Sequence, residues 1–458
     1  MQATRNLSLI ALSAAIGGLL FGYDTAVISG AIGNLTRYFS LTPVETGWAI
    51  ACALVGCLAG ALLADPVSTR FGRKRSMALA ALFFLAGSIG TALPPGFTGF
   101  VWFRILGGVG VGIASMVVPM YIAEIAPAAK RGALVAYNQL AIVIGIVLVY
   151  FVNYFIALQG DADWNLNVGW RWMFASEAIP SLLYLLLSLL IPESPRWLLM
   201  QGRTEKAVAV LERFNDKDEA ARTRTEIEGS LGVKESAGWR TLLQPAYRRA
   251  LYIGIGLSVF QQVTGINAIL YYAPEIFRSF GSDANAALLE TSMLGVINLV
   301  FTVVSIFLVD RVGRKPLLLV GSVGMLVALS VVGYASYSGS VSTWLLPFLL
   351  LFMASFSISW GPVVWVLLSE IFPNNVRSLA LSIAVFIQWA ANFAVSQTFP
   401  LLTGSQTLQA RFHGAFPFIL FAILCALALL FVRRFVPETR SKTLEQMNEL
   451  WRSEVEPQ

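Results

Sequence analysis

The chain has 458 residues, of which 57% are hydrophobic and 13% charged, with a net charge of +6 and a mean hydropathy of +0.70. Soluble domains carry about 25% charged residues, so this composition excludes an ordinary soluble enzyme, and its hydrophobicity excludes a disordered chain. A single His argues against a His-based metal site or a Ser/His/Asp triad, and three Cys provide no disulfide framework. The sequence therefore predicts a polytopic membrane protein that is not an enzyme and has no metal or cofactor.

Twelve apolar runs are long enough to cross a bilayer core, which requires about 20 residues per helix. In chain order they span residues 7–31, 47–66, 77–93, 99–123, 133–158, 171–191, 250–279, 288–309, 316–337, 343–369, 379–402 and 413–435. We interpret the first run as a permanent helix, because no small-residue cleavage site follows it as in a signal peptide. These runs predict an all-α membrane protein with twelve transmembrane helices.

The basic residues predict the orientation of these helices. If the N-terminus is cytoplasmic, most of the 32 Lys and Arg residues fall on the cytoplasmic side, as the positive-inside rule requires. The reversed topology would place most of them outside. We therefore expect both termini to be cytoplasmic and the protein to lie in a cell inner (plasma) membrane. The strongly polar stretch 193–249 predicts a cytoplasmic linker that contains short surface helices.

Three short charged motifs occur once in each half of the chain, at nearly the same offset. In the first motif, Arg70–Lys74 corresponds to Arg311–Lys315. In the second, Glu124–Pro127 with Arg131 corresponds to Glu370–Pro373 with Arg377. In the third, Pro192–Arg196 corresponds to Pro437–Arg440. A parallel repeat of six helices is the architecture of rocking transporters, whose substrate site lies at the midplane. The predicted parts are an N-terminal six-helix half (1–192), a linker (193–249), a C-terminal six-helix half (250–436) and a cytoplasmic tail (437–458).

The repeated charges stand at the predicted cytoplasmic ends of helices. An acid there that pairs with an Arg of the neighbouring loop can latch the halves shut on that side, and the pair must break when this side opens. Charge that only sets the topology is the alternative. The predicted latch residues are Glu124, Arg131, Glu193, Arg196, Asp310, Arg314, Glu370, Arg377 and Glu438.

Two charged residues within the runs are candidates for function, because charges inside a membrane are costly. Asp24 in the first run and Arg104 in the fourth both lie about 8–9 Å below the outer end, at 1.5 Å per residue. Their depth therefore permits an ion pair. A carboxylate that pairs with Arg when ionised, and takes a proton when the pair opens, couples protonation to conformation. A static structural ion pair is the alternative.

A second polar set consists of neutral amides and aromatic residues within the runs. It comprises Asn138, Gln139, Gln261, Gln262, Asn267, Tyr271, Tyr272, Asn298, Trp360, Trp365, Gln388, Trp389 and Asn392. Thr264-Gly265 predicts an unwound segment that brings the amides of the seventh run to one cavity, and Gly361-Pro362 predicts a similar break in the tenth. Amides beside aromatic faces suit a neutral polyhydroxylated ligand such as a sugar. Hydrogen bonding between helices could explain any one amide taken alone.

These residues make the sequence resemble the sugar porter family of the major facilitator superfamily over essentially its full length. Within this family it is most similar to the bacterial xylose–proton symporters and related to the glucose facilitators. The resemblance rests on Gly22-Tyr23-Asp24, Pro192–Leu198, Gln261–Asn267, Gly361–Trp365 and Pro437–Arg440. It implies the major facilitator fold, with two six-helix halves and short cytoplasmic helices between them.

The resemblance also implies the roles of particular residues. Sugar binding would involve Gln139, Gln261, Gln262, Asn267, Trp365 and Gln388, with Phe21, Tyr271 and Trp389 as aromatic neighbours and Asn298 lining the cavity. Asp24 would be the protonatable residue and Arg104 its partner. Facilitators typically have Asn at the position of Asp24, so this residue favours symport.

The chain departs from the family pattern at two positions. Ile146 stands where the xylose symporters have a second Gln, which favours glucose slightly and leaves xylose and galactose open. Thr69 stands where the family usually has Asp before Phe71, which weakens the N-terminal version of the latch, whereas Asp310 fits in the C-terminal half.

The sequence as a whole predicts a proton-coupled monosaccharide symporter that works by alternating access. A facilitative uniporter is the alternative within the class, and a sugar receptor on the same fold is the alternative outside it. No Walker motif indicates use of ATP. The expected partners are a small neutral sugar, a proton and the lipid bilayer, with no nucleic acid, and the protein is expected to be a monomer.

Overall fold

The computed structural model describes residues 2–126, 131–214, 217–231, 242–372 and 376–440. Within these ranges, twelve helical spans are long and apolar enough to cross a membrane, as predicted. Eight of the spans are single helices, at Gln2–Tyr38, Pro43–Phe71, Arg73–Ala92, Phe97–Ile125, Arg131–Ala157, Ala284–Val312, Arg314–Tyr337 and Phe416–Phe435. The eleventh span is a helix at Arg377–Gly404, which a short helix at Gln406–Phe412 follows.

The other three spans are interrupted. The sixth consists of Ala162–Trp164, a π-helical turn at Asn165–Gly169, Trp170–Ala175 and Ala178–Leu190; it begins earlier than the sequence predicts. The seventh consists of Pro245–Val263 and Ile266–Ser279, and the tenth of Thr343–Leu345, Leu346–Ile358 and Trp360–Ile371. Interrupted helices expose backbone polar groups within a membrane, which is tolerated where the surrounding protein satisfies them.

Each interruption has a local cause. The seventh span breaks at Thr264 and Gly265, as predicted, and Gly265 has a φ of +94° in the left-handed region that favours glycine. The tenth span breaks at Ser359 rather than at the predicted Gly361-Pro362. Pro362 lacks the N–H that would bond to the carbonyl four residues earlier, so the helix ends there. Pro180 has the same effect on the carbonyl of Ser176 in the sixth span.

The chain divides into two compact units, Met1–Leu41 with Trp48–Lys234, and Thr42–Gly47 with Glu235–Gln458. The first unit contains the first six spans, except for the first turn of the second span, which belongs to the second unit. The second unit also contains the other six spans. Three helices of the predicted linker, Pro195–Met200, Thr204–Phe214 and Lys217–Leu231, belong to the first unit. They enclose a small apolar core that includes Trp197, Leu198 and Ala207.

The first and fifth spans of the first unit are in very close contact. Gly22 lies directly against the backbone of Ile142, and Gly145 lies directly against that of Leu19. A Cβ atom at either glycine would collide with the facing backbone. Small residues at helix contacts are a common means of association in membranes. This contact fixes the first span, which carries Asp24, within the unit.

Candidate transport site

The first unit contains a buried ion pair between Asp24 and Arg104. The Arg104 Nη1 donates to Asp24 Oδ1 at 3.0 Å and to the Asp24 carbonyl oxygen at 3.2 Å. Asp24 is 4% exposed and Arg104 is 2% exposed. The guanidinium also lies 5.7 Å from the centre of the Phe174 ring. The two residues that the sequence singled out as deep charges therefore contact each other directly.

A third charged residue, Glu177, completes this cluster. It lies in the break of the sixth span, is 1% exposed, and its carboxyl group faces the Asp24–Arg104 pair. Among the described residues, no donor is available to Asp24 Oδ2 or Glu177 Oε1. Two carboxyl groups beside one guanidinium in an apolar environment balance its charge only if one of them carries a proton. The cluster thus contains a position for a single proton.

Glu177 is not among the site residues predicted from the sequence, although its position carries a signal. It is an acidic residue inside the predicted sixth span 171–191, where a charge is as costly as at Asp24. The neighbouring Ser176 shares a hydrogen bond of 2.7 Å between its Oγ and the Tyr23 hydroxyl. This bond joins the break in the sixth span to the first span next to Asp24.

The second unit contains a connected network of amide side chains. Gln388 Nε2 donates to Gln261 Oε1, which also accepts from Gln262 Nε2 at 3.2 Å. Asn267 Nδ2 donates to Gln262 Oε1 at 2.5 Å. The break at Gly265 makes this last contact possible, because Gln262 and Asn267 would lie on different faces of an unbroken helix.

The break in the tenth span provides two further partners. Gln261 Nε2 donates to the carbonyl oxygens of Trp360 at 2.9 Å and of Gly361 at 3.1 Å. Gln388 is 8% exposed, and its Oε1 has no hydrogen-bond donor among the described residues. A buried acceptor without a donor costs about 1–3 kcal/mol. The network therefore offers an acceptor to a hydroxyl group of a ligand.

The remaining predicted sugar-binding residues of this unit lie at different distances from the network. Tyr271 is buried one helical turn after Asn267, and half-buried Trp389 follows Gln388. Asn298 is joined instead to the tenth span, because its Oδ1 accepts from the Ser357 hydroxyl at 2.8 Å. Trp365 is 40% exposed and lies one turn beyond Gly361.

Two predicted sugar-binding residues, Gln139 and Phe21, belong to the first unit. Both are half-buried, Gln139 on the fifth span and Phe21 on the first. The structure places them on the two helices that the glycine contacts hold together. Their part in sugar binding stays a prediction.

A cluster of charges joins the loop after the second span to the end of the fourth. Arg73 Nε and Nη2 donate to the two oxygens of Glu124 at 2.9 and 2.8 Å, and the Ser194 hydroxyl donates to Glu124 Oε2 at 2.5 Å. Glu193 Oε1 accepts from the backbone N–H groups of Arg73, Lys74 and Ser194. The carboxylate of Glu193 thus caps the N-terminus of the third span, where a negative charge is favourable.

The same arrangement recurs in the second unit. Arg314 Nε and Nη2 donate to Glu370 at 3.1 and 2.7 Å, and the Thr439 hydroxyl donates to Glu370 Oε2 at 2.6 Å. Arg314 also pairs with Asp310 at 3.0 Å. The structure thus extends the sequence repeat to individual hydrogen bonds. Among the described residues, Asp310 is an additional acid that only the second cluster contains.

Glu438 takes the place of Glu193 in this second cluster. Its carboxylate accepts from four backbone N–H groups, those of Arg314, Lys315, Thr439 and Arg440. Partial burial raises the pKa of Glu438, but these hydrogen bonds outweigh it and hold the pKa below its ordinary value.

The geometry shows which of the predicted latch residues form ion pairs. Glu370 pairs with Arg314 and not with Arg377, whose Nε donates to the Phe372 carbonyl oxygen at 3.2 Å. Glu124 pairs with Arg73, and the side chain of Arg131 lies outside the described residues. Within the described part of the chain, Arg196 forms no ion pair.

These features define a class of protein, a multi-pass membrane transporter with the major facilitator fold. The profile of the family described as "Sugar (and other) transporter" matches residues 10–451. The chain is 46% identical to the D-xylose-proton symporter of Escherichia coli, over 97% of this chain and 96% of that protein. It is 40% identical to the arabinose-proton symporter of Bacillus subtilis, over 97% and 94%.

A glucose facilitator and a solved transporter structure are also similar to this chain. The glucose facilitated diffusion protein of Zymomonas mobilis is 40% identical, over 97% of each chain. The inward-open structure of the xylose transporter from E. coli has a TM-score of 0.86 at 43% identity and covers 97% of this chain and 100% of that one. The chain therefore belongs to the sugar transporter family.

Proposed function

We propose that this chain is a proton-coupled monosaccharide symporter that works by alternating access in a bacterial inner membrane. Both termini would be cytoplasmic, and a monomer would be the functional unit. The buried cluster of Asp24, Arg104 and Glu177 supports proton coupling most directly. Two carboxyl groups face one guanidinium there, so the cluster is neutral only when it holds one proton. A net charge in this apolar environment would be costly.

The amide network supports a sugar as the other substrate. Sugar hydroxyl groups both donate and accept hydrogen bonds, as amides do. A bound monosaccharide would replace the contacts that Gln261, Gln262, Asn267 and Gln388 make with one another, and would supply a donor to Gln388 Oε1. The exchange of one hydrogen bond for another lets the sugar enter and leave without a large free-energy barrier. Glucose is favoured slightly, and xylose and galactose stay open.

Movement of the proton would accompany the movement of the sugar. Asp24 would take a proton from outside and release Arg104, and the proton would leave on the cytoplasmic side. Glu177 would hold the proton in the arrangement of the structure, because Asp24 is paired there with Arg104. The charge clusters at Glu124 and Glu370 would have to rearrange when the cytoplasmic side opens.

The test of this function is uptake of labelled glucose and xylose into proteoliposomes with an imposed pH gradient, acidic outside. Wild type should accumulate sugar above equilibrium, and a protonophore should abolish the accumulation. Asp24→Asn should lose accumulation but retain exchange of sugar without a gradient. Glu275→Gln serves as the matched control, because it removes a carboxylate from the more exposed pair with Arg278 and should retain both activities.

A facilitative uniporter is the second candidate, since a facilitated diffusion protein is among the similar proteins. It predicts that wild type never exceeds equilibrium and that Asp24→Asn has no specific effect on accumulation. That result would exclude symport and leave the sugar site standing. An absence of sugar exchange in wild type would exclude both candidates.

A further inference from the structure

A groove in the second unit lies between the start of the seventh span and the end of the twelfth. It has a volume of about 450 Å³, and its lining consists of Arg249, Tyr252, Ile253, Phe431, Arg434 and Phe435. The two spans begin and end there at Pro245 and Phe435, so the groove opens at the level where these helices leave the membrane. Neither the amide network nor the charge clusters include any of its residues.

The shape of the groove follows from one glycine. Gly256 lies directly against the ring of Phe431, where a Cβ atom would collide with that ring. The Phe431 ring also contacts Phe260, with ring centres 5.2 Å apart. The two helices therefore meet closely at Gly256, and the groove lies between this contact and their ends, with its apolar lining on the inner side of Arg249 and Arg434.

The charges are placed at the rim and the apolar side chains lie deeper. Arg249 and Arg434 both lie in the turn next to a helix end, whereas Ile253 and Phe431 lie about one helical turn, roughly 5 Å, further in. The neighbouring residues Arg248 and Arg433 are also basic and exposed. Two guanidinium groups at the rim of an apolar groove match an anionic headgroup joined to an apolar chain.

We propose that this groove binds an anionic glycerophospholipid, with its phosphodiester at Arg249 and Arg434 and an acyl chain along Tyr252, Phe431 and Phe435. Guanidinium groups bind phosphate oxygens in a bidentate manner, which favours Arg here. A zwitterionic lipid carries the same phosphate but also a cationic amine, which the dense positive charge of the two helix ends repels. Free phosphate lacks the chain that would fill the apolar wall.

The experiment uses the purified full-length protein, stripped of lipid in a non-ionic detergent. Native mass spectrometry measures bound dioleoylphosphatidylglycerol and bound dioleoylphosphatidylcholine over a titration, and thermal unfolding measures stabilisation by each lipid and by sodium phosphate. The variant is R249Q/R434Q. The matched control is R248Q/R433Q, which removes the same charge from the same two helices but from residues that do not line the groove.

We expect phosphatidylglycerol to bind and stabilise the wild type, and the R249Q/R434Q affinity to fall about tenfold or more, in line with two lost cationic contacts. The control should change by about threefold or less, as a loss of general surface charge predicts. If R249Q/R434Q does not fold, R434Q alone, at an exposed position, should weaken binding several-fold. Equal effects of the two double variants, equal binding of phosphatidylcholine, or the same stabilisation by phosphate alone would overturn the proposal.

Discussion

Replacement of Gly265 by Ala tests the claim that the break in the seventh span assembles the amide network. The substitution adds two costs. A φ of +94° is unfavourable for alanine, by about 1–2 kcal/mol. The new Cβ would also lie 2.5 Å from the buried Phe421 ring, and relief of such overpacking costs about 1–3 kcal/mol. The sum is about 2–5 kcal/mol, a large part of the stability of a typical domain.

Gly281 provides a control for the first of these costs. It has a φ of +98°, and a Cβ there would meet nothing within 4 Å. Gly281→Ala should therefore cost only the backbone strain. Thermal unfolding in detergent, followed by loss of monodisperse protein, should rank wild type above Gly281→Ala and Gly281→Ala above Gly265→Ala. The double variant Gly265→Ala with Phe421→Leu should recover part of the difference.

The same variants separate stability from sugar recognition. Gly265 lies between Gln262 and Asn267, whose side chains are 2.5 Å apart at the hydrogen bond. A shift of the break would lengthen this bond, so Gly265→Ala should raise the KM for sugar, whereas Gly281→Ala should leave it unchanged. If Gly265→Ala is no less stable than Gly281→Ala and has the wild-type KM, the break does not position the network in the way that we infer.

Three further predictions concern the other contacts. The lowered pKa of Glu438 stabilises the fold at pH values above the pKa of the carboxyl group in the unfolded state. This stability should be lost as the pH falls through the lowered pKa, so Glu438→Gln should weaken the dependence of the unfolding temperature on pH in the acidic range. Arg73→Ala leaves the Glu124 carboxylate buried without its pair, so it should cost about 3–5 kcal/mol, and addition of Glu124→Gln should restore part of it. Asn298→Ala removes the acceptor of the Ser357 hydroxyl and should raise the sugar KM without loss of proton coupling; a normal KM would place Asn298 outside the site.

The candidate site could be predicted from the sequence only where a residue's own position was informative. Asp24 and Arg104 were identified because a charge inside an apolar run is costly wherever it lies. Glu177 met the same criterion and was overlooked, since its role depends on contact with Asp24 and not on a motif. The sequence did not determine the partner of Glu370, because equal spacing in two repeats marks equivalent positions but does not state which side chains meet.

The twelve spans, their order and the repeat were determined by the sequence alone. A bilayer requires about 20 apolar residues per helix and places basic residues on one side, so both signals are local and additive along the chain. Only the tertiary structure decided which polar groups meet. Glu177 reaches Asp24 because Pro180 breaks the sixth span, and Gln262 reaches Asn267 because Gly265 adopts a left-handed conformation. Such contacts depend on helix breaks and on packing within each unit. If a helix were shifted by one residue along its sequence, the side chain would point away from its partner.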